Sequence, residues 1–318
     1  MSSAWEELAA SAAIDALRRR EPDATAIALA ACRPLTDGSS SGPLLVELAV
    51  VTGTTPKTER LVVKQASANE GRLLTSLSEA GLPVPVPLPV ELLSEIELLV
   101  TAEIEGRTVA AALKAVEMRW QISALAFTFG RGLARIHRLD WRKVLPWLPE
   151  ADPEVFPEDI IDDQLENWWR DREARVERLP AGEQPIFRRA FRWLDLHRPV
   201  ELDVCLCHGN YSPEHLLVDE GEEAAGITGW GAARICDASY DLAMLEFDVA
   251  ATGLPPEDVT LFSQAAIGAY LQASPRATTN TAFYTVLRLF GRLLESIEQG
   301  VPSEERERWA APLQQTIR

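Results

Sequence analysis

Basic side chains are in short supply: 31 Lys and Arg stand against 48 Asp and Glu in 318 residues, leaving a formal charge of −17. Nucleic acids and anionic membranes draw proteins through clustered Lys and Arg, so neither is expected as a partner. The same imbalance leaves room for a cationic small molecule. Cysteine is also scarce, with four in the whole chain, too few for a disulfide framework at this length. They read as reduced thiols. No uninterrupted apolar run approaches the roughly 18 residues of a membrane span. The first twenty residues carry Glu6, Glu7 and Asp15 and lack the basic start and apolar stretch of a signal peptide. The expectation is a soluble cytoplasmic protein. No internal repeat of about 20 to 50 residues is visible.

What is present is ample apolar material, 47% of the chain, enough for a large core. A first helix is read over about residues 4–20. Apolar runs at 26–32, 44–51 and 60–65, split by the turn-rich 36–42 and 53–57, predict an antiparallel meander ending at Lys64. A helix over 68–80 is stopped by Gly81 and the series Pro83, Pro85, Pro87 and Pro89. Strand returns over 97–102. Beyond residue 108 the pattern turns helical, with Ile122, Leu125, Phe129, Leu133 and Ile136 on one stripe. Three short apolar runs, 204–207, 216–218 and 225–228, interrupt the helices. The pattern predicts helices again over 184–197, 241–251, 256–272 and 279–298, and after Pro302. The expected organisation is a β-rich N-terminal lobe over 1–102 with a nucleotide-type cleft, and a helical C-terminal lobe over 103–318.

Four segments in this order resemble the aminoglycoside phosphotransferase and choline kinase family. They are Leu61-Val62-Val63-Lys64, Asn69-Glu70 running to Gly81-Leu82-Pro83-Val84-Pro85, Leu98 to Arg107, and His208-Gly209-Asn210 through His215 and Gly229 to Asp241. The resemblance spans roughly residues 25 to 300. It implies an α+β, bilobal protein-kinase-like fold with a small antiparallel-sheet lobe and a large helical lobe. It also implies roles: Lys64 for nucleotide phosphates, Glu70 as its partner, and the backbone around Ala102 and Ile104 for an adenine. A loop holding Ser39 and Ser40 could offer backbone N–H groups to phosphate, although its lack of G-x-G-x-x-G spacing also fits a plain turn.

The chain departs from the family where the chemistry is done. Phosphoryl transfer is mainly positioning and charge neutralisation. The family supplies a catalytic Asp, a metal-binding Asn in the same loop and a second metal-binding Asp. Here those positions hold Asn210, His215 and Gly229. An amide cannot serve as a carboxylate base, a loss of about 10² to 10⁴ in rate. Imidazole nitrogen suits magnesium poorly, and glycine offers no ligand. The three changes together point to an inactive, pseudokinase-like protein that binds ATP, another nucleotide or a small molecule. They leave Mg²⁺ in doubt, and no ligand is expected from Gly229. Two alternatives remain: an active small-molecule phosphotransferase with an atypical metal site, and a protein-interaction scaffold that binds no nucleotide.

Other residues invite weighing. His208 precedes the family's glycine and reads as loop structure, as do Asp237 and Asp241. Cys205, Cys207, His208 and His215 could be a soft-metal set, but their spacing follows no zinc pattern, so no metal is expected there. Between residues 150 and 171 lie nine acidic residues and one base, Arg170. This block holds Glu166, Trp168 and Trp169, where the family builds its acceptor surface. Carboxylates beside aromatic faces can hold a cationic amine. The other reading is a solvated helix face with the tryptophans packed inward. The oligomeric state and the acceptor do not read out.

Overall fold

A computed structural model describes residues 4–35, 42–89, 97–274 and 276–318. In chain order the elements begin with α1 (Ala4–Arg20), β1 (Ala24–Pro34), β2 (Leu44–Thr52), β3 (Thr55–Gln65) and α2 (Ala68–Glu79). There follow β4 (Pro87–Leu88), β5 (Leu98–Ala102), β6 (Arg107–Thr108), α3 (Val109–Lys114), α4 (Arg119–His137) and α5 (Trp141–Val144). Next are α6 (Pro157–Glu177), α7 (Gln184–Leu196), β7 (Val204–Cys207), β8 (Leu216–Val218), β9 (Ala224–Ile227) and β10 (Arg234–Asp237). The chain ends with α8 (Ser239–Leu242), α9 (Leu245–Ala250), α10 (Pro256–Ala273), α11 (Thr281–Glu298) and α12 (Ser303–Thr316).

These elements form two units. The first comprises Met1–Thr108 with His215–Gly231, and the second Val109–Glu214 with Ala232–Arg318. In the first unit an antiparallel sheet has the order β1-β2-β3-β5-β4. Alternation decides which face is covered: Leu44, Val46, Leu48 and Val50 of β2 are all buried, as are Leu61 and Val63 of β3. Helix α1 covers that face with Ala9, Ala12, Ala13, Ala16 and Leu17, spaced three and four apart. Its alanines add little bulk between helix and sheet. Its ends match the helix dipole, with Glu6 and Glu7 in the first turn and Arg18, Arg19 and Arg20 in the last. A second, three-stranded sheet runs β6-β8-β9. The Ile227 amide donates to the Pro83 carbonyl at 2.7 Å, tying β9 to the proline series.

The second unit is helical around one short hairpin-like pair, β7 against β10. Its core combines Phe187 and Leu194 of α7 with Phe283, Val286, Phe290, Leu293 and Leu294 of α11 and Cys205, Cys207 and Cys236 of the strands. The expected stripe of Ile122, Leu125, Phe129, Leu133 and Ile136 is buried throughout. Helix α4 also passes very close to α10: a Cβ at Gly130 would fall 2.1 Å from the Ala266 carbonyl oxygen.

Some sequence expectations change in detail. The helix read over 241–251 is two helices, α8 and α9, separated at Ala243–Met244. The segment before it is strand β10, hidden from the pattern because only Ile235 and Cys236, between Arg234 and Asp237, are apolar. The proline series contains a two-residue strand, β4, at the sheet's edge, where the amide that Pro87 lacks is not required. Strand β1, read as an apolar run, is the other edge, and Leu29 points largely into solvent.

The Gly130 contact sets an expectation opposite to helix propensity. Gly130→Ala should destabilise by about 2 kcal/mol through overpacking. Gly268→Ala in α10, where nothing lies within 4 Å of the new Cβ, should instead stabilise by up to about 1 kcal/mol. Urea unfolding of the two variants checks the pair.

Candidate functional site

In the first unit, Lys64 lies near the end of β3, opposite Leu99 of β5. Because Leu61 and Val63 face the α1 side, alternation turns Lys64 to the other face. Ser67 caps α2, its Oγ accepting from the Glu70 amide at 3.3 Å. The cap places Glu70 in the first helical turn, where a carboxylate is favoured. Glu70 is only 7% exposed, and Lys64 Nζ donates to its Oε1. The pair expected from the sequence is therefore formed. Glu70 Oε2 also lies 3.4 Å from where a Cβ of residue 231 would sit.

Ala102 ends β5 opposite Leu61, and the Glu103 amide that follows is taken up by the Arg60 carbonyl at 3.0 Å. The Ile104 side chain packs onto Gly226 of β9, where a Cβ would fall 2.6 Å from Ile104 Cδ1. Ser39 and Ser40 lie outside the described residues.

His215 stands just before β8 and Gly229 just after β9. Thr228 joins them, its amide donating to the His215 carbonyl at 2.8 Å. Gly229 has φ +80°. A Cβ there would fall 2.2 Å from His215 Cδ2 and 2.6 Å from Nε2. The imidazole thus fills the space a side chain at 229 would need. Asp219, a nearby carboxylate, accepts from the Gly221 amide at 2.8 Å and the Glu223 amide at 3.0 Å, holding the β8–β9 turn.

In the second unit, Asp241 of α8 is fully enclosed and organises the loop that carries Asn210. Its carboxylate accepts from the His208 and Gly209 amides, both at 2.7 Å, and from His137 Nε2 at 3.1 Å. The Asn210 amide in turn donates to His208 Nδ1 at 3.3 Å. Asp237, two residues before α8 begins, accepts from the Ser239 amide at 2.8 Å and from the Asp203 amide and Asn280 Nδ2, each at 3.0 Å.

His137 was not singled out from the sequence. The available signal was a histidine extending a buried apolar stripe. Its other nitrogen, Nδ1, lies 2.8 Å from the Tyr270 hydroxyl. Among the described residues, the three-residue group able to hold a metal ion is His137, Cys205 and Cys207, with ligand atoms within 4.8 Å of one another. Neither His208 nor His215 belongs to it. Both ring nitrogens of His137 already have partners, so the cluster is a hydrogen-bonded core network. All four cysteines are free thiols.

Residues 48–282, well over half of the chain, match the model of the phosphotransferase enzyme family. The chain belongs to that family. Solved structures agree at the level of fold. A type VIII aminoglycoside-3′-phosphotransferase is 23% identical over 91% of this chain and 100% of its own, with TM-score 0.56. The macrolide 2′-phosphotransferase MphH from Brachybacterium faecium is 20% identical over 95% and 97%, with TM-score 0.54. LicA in complex with AMP is 15% identical over 99% of both chains, with TM-score 0.59. No curated protein sequence matches significantly.

For a phosphotransferase, residues 215 and 229 do not fit a magnesium ion. An imidazole replaces hard oxygen, a glycine supplies nothing, and the ring takes up the space beside it. The acidic block is helix α6 and its approach. Trp168 packs on Phe290 and Phe191, with centroids 5.1 and 6.1 Å apart, and Trp169 on Phe191 at 5.0 Å. The Arg172 guanidinium lies 6.0 Å over the Trp168 ring. Exposed Glu166 borders a cavity of about 90 Å³ with both tryptophans, Asp195 and Arg198.

The His137–Asp241 pair carries a pH signature. Burial alone would strip the proton from His137, but the Cys205 sulfur and the Asp241 carboxylate hold it well above its ordinary 6.5. Burial would raise Asp241, but the hydrogen bond and charge of His137 keep it below 3.8. The pair's contribution should be lost as pH falls below 3.8, when Asp241 takes up a proton. It should also decline as pH rises above 6.5 toward the folded value of His137. Asp241→Ala should cost about 3–5 kcal/mol and flatten both limbs; urea midpoints across pH measure this.

Proposed function

We propose that this phosphotransferase-family chain is catalytically degenerate, a pseudokinase that binds a nucleotide without transferring its phosphoryl group. The observation that carries the reading is the set Asn210, His215 and Gly229 at the positions where the resemblance calls for a catalytic carboxylate and two metal-binding oxygen ligands. A phosphoryl group in transfer needs its charge opposed and its acceptor deprotonated. Asn210 cannot take the proton. His215 and Gly229 cannot seat the hard cation. The nearby Asp219 is committed to its turn.

What survives is the binding half of the site. Lys64, held by Glu70, offers a fixed cation to a phosphate oxygen. The backbone from Ala102 to Ile104 takes the adenine, and ATP is the nucleotide we assign. LicA, with the same fold, is seen with AMP. The Glu166, Trp168 and Trp169 face remains our candidate for a small cationic ligand, although Arg172 already covers one Trp168 face. Among the described residues no helix is long and apolar enough to cross a membrane. The free thiols suit a reducing compartment, and we assign the protein to the cytoplasm.

Titration of the full chain with a fluorescent ATP analogue should show binding that weakens about tenfold or more in Lys64→Ala, the scale of a lost charged hydrogen bond. No steady-state phosphorylation of amine, sugar or aminoglycoside hydroxyls should accompany it. Turnover that Lys64→Ala abolishes would identify an active enzyme instead. Absence of ATP binding would leave the scaffold reading.

A further inference from the structure

Residues 215 and 229 are two of the three departures from the expected chemistry, and the structure links them physically. The Thr228 amide and hydroxyl both reach the His215 carbonyl, at 2.8 and 3.4 Å. This fixes the backbone on both sides of the ring. The imidazole lies against the Gly229 backbone so closely that a Cβ there would meet Cδ2 at 2.2 Å, Nε2 at 2.6 Å and Cγ at 2.9 Å. The overlap is relieved only if the half-buried ring turns away about its χ1 and χ2. The two replacements are therefore a single exchange, in which a ring enters and a side chain leaves.

The position matters because of its neighbours in the same unit. Two residues beyond Gly229, the backbone of Gly231 lies beside Glu70, which holds Lys64. The ring occupies the space that the first side-chain atom of any residue at 229 would need. An imidazole there blocks a carboxylate at that position and is itself a poor magnesium ligand.

We propose that His215 is a specificity residue that stands in the place of the divalent ion, so that this site takes its nucleotide free of metal. The proposal rests on the nucleotide reading above and specifies the form of the ligand: an uncomplexed nucleoside phosphate rather than its magnesium complex. Lys64 then supplies the fixed positive charge that faces the phosphates.

Two measurements on the full chain test this. In the first, the affinity for ATP is compared in excess magnesium and in EDTA. The wild type should change by less than about twofold, while His215→Asn with Gly229→Asp should bind about tenfold or more tightly when magnesium is present. The second is a stability cycle. Gly229→Asp alone should lower Tm by about 5 °C. Gly229→Asp made on a His215→Asn background should lower it far less. Any backbone strain from the positive φ is common to both backgrounds and cancels.

Wild-type binding that requires magnesium overturns the proposal and leaves the nucleotide reading intact. Absence of binding in both conditions overturns the nucleotide reading and metal-free binding together. Equal destabilisation by Gly229→Asp in both backgrounds overturns the claim that the ring holds that space.

Discussion

The loop carrying Asn210 depends on a carboxylate that never meets solvent. Asp241 collects two backbone amides and one imidazole, all within 3.1 Å. A buried charge of this kind is costly unless every acceptor position is matched. Matching fixes the His208–Gly209 peptide, the end of α4 and the start of α8 against one another. The loop's conformation is thus set by Asp241 rather than by the side chain of Asn210. Removing Asp241 would leave two buried backbone amides without partners, a structural loss independent of any reaction.

Much of this was legible in the chain. Hydrophobic alternation in β2 and β3 and the stripe along α4 fixed the elements, because core-facing periodicity is a local property of the sequence. The Lys64–Glu70 pair was readable through the resemblance of the two segments that carry these residues, and the structure forms it between a strand end and a capped helix start. Three things were not legible. Strand β10 has only two apolar residues between charged ends, and edge strand β4 is two residues long. His137 looked like one more residue at a helix end until packing brought Asp241 and Tyr270 to it from more than a hundred residues away. The coupling of His215 to Gly229 was also out of reach, since sequence shows two substitutions and only geometry shows that one occupies the other's space.

The acidity of the chain also takes a different meaning. Two carboxylates of its densest stretch, along α6, are paired with the chain's own cations. Arg198 pairs with Asp162 at 2.9 Å, Asp171 bonds Arg172, and Arg175 reaches both Asp171 and Glu298. The tryptophans within it are anchored on Phe191 and Phe290. Two of its nine carboxylates are thereby offset locally, and the charge of the exposed remainder is screened by salt.

The threading of the first unit bears on how the protein is made. Strand β6 pairs with β8, and β8 with β9, so the three-stranded sheet joins residue 107 to a segment more than a hundred residues later. On the ribosome, the N-terminal sheet can close as soon as β5 has emerged, but β6 must wait for most of the second unit to be synthesised. Such long-range closure is slow and leaves a strand edge exposed in the interval. The newborn chain passes through a stage in which Lys64 and Glu70 can already be paired while the ring and glycine of the neighbouring segment have yet to arrive.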